Sequence, residues 1–456
     1  MEINDKIDNI VSKQREFFKS GATKVIQFRI EMLKQLLKLI DENQEAILEA
    51  LFDDLHKSQQ EAYLTEISIV RGEIKKHLKN IKKWSAVQRV STPIKLYPSK
   101  SYIVPEPLGN ALIIAPWNYP FQLLLNPLVG AISAGCTALL KPSPYSSKTS
   151  TLMAELIPLY FEESYIAVVE GNRDVNTLLL SHKWDIIFFT GSPALGKVVM
   201  KAAAENLTPV VLELGGKSPC IVDSGANLKV AAKRIAWGKM INSGQTCIAP
   251  DYLLVNEEVK DQFIDEFNRA VKSLQGDIKS SKHYCRMINV KAFDRAISYI
   301  NDAEIILAGG SYDREELFIE PTIITCKSDS CPALEEEIFA PVFPLLSFSN
   351  SQDLLEKISS MEKPLAFYYF GDERVGMSII SKSTSGGACI NDTIMHIANE
   401  NLPFGGVGNS GMGRYHGYKS FEAFTNMRSL LVTHKKFDTP FRYMPYRLFS
   451  IIKRIV

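Results

Sequence analysis

The feature that most restricts the fold is an alternation, starting near residue 111, between short apolar runs and stretches spaced like helices. ALIIA (111–115), TALLK (137–141), YIAVVE (165–170) and DIIFFT (185–190) are continuous apolar runs rather than every-other-residue patterns. A strand with one wet face alternates, whereas a strand covered on both faces does not, so these runs predict fully buried strands. Between them, FQLLLNPLVGAISAG (121–135) and SSKTSTLMAELIPLYF (146–161) have the length and spacing of covering helices. Strand, helix and strand in succession predict a doubly wound parallel sheet, an α/β fold. A second series, SPCIVD (218–223), YLLVN (252–256), EIILAGG (304–310), FPLLSF (343–348) and LAFYYF (365–370), predicts a second α/β unit. Residues 1–85 read as helices, and the Pro-punctuated STPIKLYPSKSYIVPEPLG links them to the first sheet.

At 456 residues the chain exceeds what one core holds, so two or three domains are expected. A net charge of +1 argues against nucleic acid as a partner. From Pro107 to Leu140 there is no charged residue, enough on paper for a membrane span. Pro116, Pro120 and Pro127 interrupt it, and Asn118 and Asn126 are polar, which suits strand, loop and buried helix instead. The charged N-terminus lacks a signal-peptide core, so a cytoplasmic location is expected, with the seven cysteines as reduced thiols. Their spacing predicts no metal site.

Several short stretches could carry chemistry. GQTCIAP (244–250) presents Cys247 between turn-forming ends; at a loop-to-helix junction, backbone N–H groups would favour its thiolate, while the plain alternative is a small buried hydrophobe. VVLELGGKSP (210–219) sets Glu213 among apolar residues, where desolvation raises a carboxyl's pKa toward that of a general base; the alternative is a strand-end glutamate reaching water. APWNYP (115–120) puts Asn118, a donor for a developing oxyanion or a turn cap, between Trp117 and Tyr119. DIIFFTGSPALGK (185–197) is a strand, a turn and a helix start with Gly191, Ser192 and Gly196, suited to a pyrophosphate; Val198 stands where a triphosphate loop needs Ser or Thr. Lys141 closes one strand, at an edge where ligands bind, or is simply solvated. EEEIFAPV (335–342) offers Glu337 and Phe339, or an acidic surface loop.

FTGS, LELGGKSP, GQTCIAP, EEEIFAPV and LPFGGVGNSGMGRYHG follow one another in this order. From about residue 15 to 430 the chain resembles the NAD(P)-dependent aldehyde dehydrogenase superfamily, and its ending resembles the class 3, fatty- and aromatic-aldehyde branch. That resemblance implies a small-molecule aldehyde as substrate and NAD or NADP as cofactor. It implies Cys247 as nucleophile, Asn118 and the Cys247 N–H as oxyanion donors, and Glu213 as the base that activates water. It places Lys141 on the adenine ribose and Ser192, with Gly191 and Gly196, at the pyrophosphate. Glu337 falls on the nicotinamide ribose, with Phe339, Leu214 and Trp117 also on the cofactor; Glu337 has a claim to the base role as well. Tyr63, Tyr119 and Trp237 fall where the branch lines its aldehyde tunnel. The implied fold has a Rossmann-like cofactor domain (1–85 and 106–213), a catalytic domain (214–415) and a bridging arm (86–105 and 416–433) that pairs subunits into a homodimer. The tail, 434–456, mixes basic and aromatic residues, giving it either a weak peripheral membrane contact or a place on the neighbouring subunit. There are two departures from the family pattern. Pro144 stands where a ribose-binding glutamate is common, which loosens NAD specificity, and Ala340 stands where glycine is common. A CoA-acylating dehydrogenase is the nearest rival, and Glu213 argues for hydrolysis against it.

Overall fold

The computed structural model describes residues 3–327, 331–438, 443–445, 449 and 453. The tail expectation, 434–456, falls largely outside them.

Helices come first: α1 (Ile3–Lys19), α2 (Ile26–Glu42), α3 (Gln44–Leu55), α4 (Gln59–Ala62), a π turn over Tyr63–Ile67, and α5 (Ser68–Trp84). Each long one presents an apolar stripe; in α2 it is Leu33, Leu36, Leu39 and Ile40, all fully buried. Two strands follow, β1 (Gln88–Val90) and β2 (Lys100–Pro107), and then the first large sheet: β3 (Asn110–Ile114), β4 (Thr137–Lys141), β5 (Ile166–Val168), β6 (Ile186–Gly191) and β7 (Val210–Leu214). Its connecting helices are α6 (Gln122–Ala134), α7 (Ser147–Tyr160), α8 (Arg173–Ser181) and α9 (Pro193–Ala204).

The continuous apolar runs have cover on both faces. Leu112 and Ile114 of β3 pack with Ile7, Ile10 and Leu179 from α1 and α8, while Ala111 and Ile113 pack with α2, α5 and α6. The charge-free stretch is uncharged for the same reason: β3, α6 and β4 are buried throughout. Among the described residues no helix is long and apolar enough to cross a membrane.

Leu228–Met240 (α10) follows β8 (Pro219–Val222) and leads to β9 (Tyr252–Asn256). The second sheet adds β10 (Ile306–Ala308) and, beyond a small hairpin of β11 (Tyr312–Asp313) and β12 (Phe318–Ile319), β13 (Thr322–Ile324), β14 (Val342–Phe348), β15 (Ala366–Phe370) and β16 (Gly387–Ile390). Its order is β10-β13-β14-β9-β8-β15-β16, parallel except for β10. The first sheet runs β17-β7-β6-β3-β4-β5, where β17 (Gly411–Met412) is a late, antiparallel addition opposite Glu213. Chain order reverses between β3 and β6, so a crevice opens beyond their carboxyl ends. The last strand, β18 (Thr425–Val432), pairs along its whole length with β2, and with β1 they form a separate three-stranded sheet.

One expectation fails here. Cys326 and Cys331 form a disulfide, so not all seven cysteines are thiols; their Cα atoms lie 5.7 Å apart, within bridging range.

Candidate active site

Asn118 lies in the loop after β3, 3% exposed, and its side-chain amide donates to the Gln245 carbonyl at 3.0 Å. Its own carbonyl accepts from Asn242 Nδ2 at 2.8 Å and Lys57 Nζ at 3.2 Å, so this loop is tied to the one carrying Cys247. Only one amide hydrogen of Asn118 is committed to Gln245, leaving the other for a ligand. The Cys247 loop is built by a reversal after α10. Asn242 (φ 49°), Ser243 (φ 53°) and Gly244 (φ 72°) are all left-handed. A Cβ on Gly244 would lie 2.6 Å from the Ala340 carbonyl, so the loop's glycine is required. Gln245 locks the turn, donating to the carbonyls of Asn242 (3.0 Å) and Arg286 (2.9 Å) and accepting from the Ile288 N–H (2.9 Å).

Cys247 therefore sits in a turn between α10 and β9, not at the start of a helix as its sequence suggested. No helix dipole favours its thiolate. Burial pushes its thiol well above the ordinary range, and the Glu337 and Glu213 charges push it further; the N–H groups of Cys247 and Ile248 pull the other way and lose.

Glu213, 3% exposed near the end of β7, has both carboxyl oxygens buried without a hydrogen-bond partner. Burial raises its pKa well above the carboxylate range, opposed only by the Arg414 charge. Gly405 faces it so closely that a Cβ there would sit 2.9 Å from Oε1. The strand-end glutamate reaching water is thus excluded. Glu337 is also raised, to about 8, by burial and by Asp251, against a hydrogen bond from the Gly216 N–H. A Cβ on Gly215 would fall on its carboxylate, which explains the glycine at that position.

The crevice beyond the first sheet fits a dinucleotide. Ser192 caps α9, accepting from the Leu195 N–H, and in β6 next to it the buried Thr190 hydroxyl has no partner. Gly196 lets α9 lie against β7, since a Cβ would meet Leu214 at 2.6 Å. Lys141 is not a solvated lysine: it is 1% exposed, donates to the Pro142 carbonyl at 2.7 Å, and burial lowers it to about 8. Trp117 and Phe339 meet edge to face at 5.4 Å, and Phe339 holds a left-handed φ of 52°.

The model of the aldehyde dehydrogenase family matches residues 3–430. The chain is 45% identical over 436 residues to 4,4'-diaponeurosporen-aldehyde dehydrogenase of Staphylococcus aureus, covering 95% of each. It is 44% identical over 428 residues to the dimeric NADP-preferring aldehyde dehydrogenase of Rattus norvegicus, covering 93% of this chain and 94% of that one. A solved structure described as the substrate-bound state of Staphylococcus aureus AldH superposes with a TM-score of 0.97 at 44% identity over 100% of both chains.

The chain belongs to the aldehyde dehydrogenase family.

It is an oxidoreductase that converts an aldehyde to a carboxylic acid with NAD or NADP. In this aldehyde dehydrogenase a cavity of about 690 Å³ lies between α5 and the segments around Trp237 and Ile394. Trp237 is in its wall, but Tyr63 and Tyr119 are not. Tyr63 is on the surface, and Tyr119 is buried, with its hydroxyl 2.7 Å from Thr246 Oγ1 and its ring under Lys57. The cavity does not touch Cys247 directly. It reaches His416, whose neighbour Tyr415 feels the charges of both Glu213 and Cys247.

Two networks were missed in the sequence. Lys217 pairs with Asp251 and donates to the carbonyls of Ala333 (2.8 Å) and Glu336 (3.0 Å), while Asp251 accepts from the Ile338 N–H at 2.9 Å. Together they pin the segment that carries Glu337. Lys57 and Glu66 form a fully buried pair at 2.6 Å; Glu66 also accepts from the N–H groups of Phe121 (2.9 Å) and Gln122 (3.2 Å) at the start of α6. Lys217 stood within a quoted motif, but its partner is far along the chain.

Proposed function

We propose that the enzyme oxidises apolar aliphatic or aromatic aldehydes, with Cys247 as nucleophile and Glu213 as base. The observation that carries this is Glu213: a buried carboxyl, both oxygens unpartnered, close enough to Cys247 to raise its thiol. The Cys247 sulfur, once deprotonated, attacks the carbonyl carbon, and the oxyanion is held by the free amide hydrogen of Asn118 and the Cys247 N–H. NAD(P)+, when bound, would supply the hydride acceptor for that carbon, and Cys247 would then carry the acyl group as a thioester. Glu213 then takes a proton from water, and the hydroxide so formed releases the acid. Glu337, Phe339 and Trp117 would hold the nicotinamide end, Gly191, Ser192, Gly196 and Leu214 the pyrophosphate region, and Lys141 the adenine ribose. Such a dinucleotide suits the crevice because Gly196 opens the helix start and Thr190 offers an unpaired hydroxyl.

The apolar wall around Trp237, Met240 and Ile394 supports an apolar aldehyde, as does the name of the Staphylococcus aureus relative. The exposed Pro144, which carries no carboxylate, supports use of both NAD and NADP. The separate β1-β2-β18 sheet, with Leu430, Leu431 and Val432 exposed, and the name of the rat relative support a homodimer built on residues 86–105 and 416–433. The two large sheets support division into a cofactor domain (1–85 and 106–213) and a catalytic domain (214–415), with β17 of the latter crossing over to complete the first sheet. A cytoplasmic site and a tail that touches either membrane or the partner subunit complete the reading. A panel of aliphatic and aromatic aldehydes with NAD and with NADP, followed by the appearance of the reduced cofactor, tests it; activity confined to small polar aldehydes would overturn the substrate class.

A further inference from the structure

The cavity beside the catalytic centre is mainly apolar, with Leu64, Ile69, Trp237, Met240, Ile394 and Met395 in its wall. Several polar groups in that wall are already engaged. Glu61 accepts from the Asn242 N–H at 2.7 Å, Thr65 donates to the Glu61 carbonyl at 2.7 Å, and Ser68 donates to the Leu64 carbonyl at 2.9 Å. Glu73 accepts from the Gly417 N–H (2.8 Å) and the Ser420 hydroxyl (2.7 Å).

Two groups differ. Asn126 is 1% exposed, and neither its amide nitrogen nor its carbonyl oxygen has a partner. His416 is 5% exposed, and its Nε2 has none. Both line this cavity. An unpaired buried amide is costly, and protein interiors seldom keep one unless a ligand or water completes it.

Neither side chain is placed by default. Asn126 stands in the middle of α6, every residue of which is buried. His416 has a left-handed φ of 77°, an arrangement that persists only where the surroundings over-determine it. Here its N–H donates to Ser420 Oγ at 2.9 Å, Ser420 is held by Glu73, and its ring stacks on Phe404 at 5.3 Å. The ring is fixed with Nε2 free. Burial lowers the His416 pKa, so the ring is neutral and its Nε2 can donate or accept according to tautomer.

We propose that Asn126 and His416 form a hydrogen-bonding subsite in this apolar cavity, which selects aldehydes whose apolar body carries a hydroxyl group remote from the carbonyl. A hydroxyl both donates and accepts, so it can pair with the amide or the imidazole, whereas a plain hydrocarbon leaves both unpaired. The inference rests on the aldehyde reading given above and narrows its substrate class.

The test compares kcat/KM for plain alkanals with hydroxyalkanals of equal length, moving the hydroxyl stepwise from the carbonyl. The wild-type enzyme is expected to favour one positional isomer over its plain counterpart by on the order of ten-fold. Asn126→Leu is expected to bring that ratio to about one, and His416→Phe to do the same where circular dichroism shows it folded. Failure to prefer any isomer, or a preference that survives Asn126→Leu, overturns the subsite. If no aldehyde of either kind is oxidised, the catalytic reading has failed instead, and the plain alkanals reveal that directly.

Discussion

Glu213 and Glu337 approach Cys247 from two different walls, and burial raises the pKa of both, yet the chain treats them oppositely. Glu337 accepts a hydrogen bond from Gly216, and its segment is pinned by Lys217 and Asp251. Glu213 has no hydrogen bond at all, only Gly405 pressed against it and the charge of Arg414. A carboxyl that is tied down orients what it touches; one left unpartnered can take and give a proton. Both are raised by burial, and what separates them is freedom.

The most severe perturbation removes what the two carboxyls share. Cys247→Ser is expected to lower dehydrogenase turnover by on the order of a thousand-fold or more while cofactor binding persists, because an alkoxide is far harder to form than a thiolate. Cofactor fluorescence titration alongside steady-state rates checks both halves. Next, Glu213→Gln separates the two carboxyls: a burst of about one reduced cofactor per site, then a steady rate lower by roughly a hundred-fold. Glu337→Gln should give no such burst-limited trace, and if it does while Glu213→Gln turns over normally, the assignment is reversed. A third carboxyl, placed by Pro144→Glu in an exposed turn at the cofactor edge, should shift preference toward NAD by about ten-fold, read as the ratio of kcat/KM for NAD and NADP.

The smallest effect is on stability. The Glu337 carboxyl rises from 4.5 to about 8 on folding, so it binds a proton more tightly in the folded chain. Its contribution is complete below pH 4.5 and is lost as pH climbs through 8. The wild-type melting temperature should therefore fall more steeply between pH 5 and 8 than that of Glu337→Gln, as scanning calorimetry can measure. Equal slopes would mean that Glu337 is ionised in the folded chain.

The strands were legible because parallel strands covered on both faces carry continuous apolar runs, such as residues 111–114 in β3 and 186–189 in β6. The setting of Cys247 was not. A loop-to-helix junction would have given Cys247 free N–H groups, yet after the left-handed Asn242 and Ser243 it stands in a turn that leads to β9, and φ angles leave little trace in residue type. Lys141 and Glu213 each read equally well as solvated, since burial is decided by distant segments. The partners of Tyr119, Thr246 and Lys57, come from distant parts of the chain, so its burial could not be read from its neighbours in sequence. The Cys326–Cys331 bridge was hidden by an expectation about compartment, which says nothing of how close two Cα atoms lie.

The late strand β17 has a consequence for how the site can be lost. Glu213 lies in β7, but Gly405, Gly411 and Arg414, which close over it, come from far later in the chain. A proteolytic cut that releases that segment should therefore open the carboxyl to water and lower its pKa toward the ordinary carboxylate range.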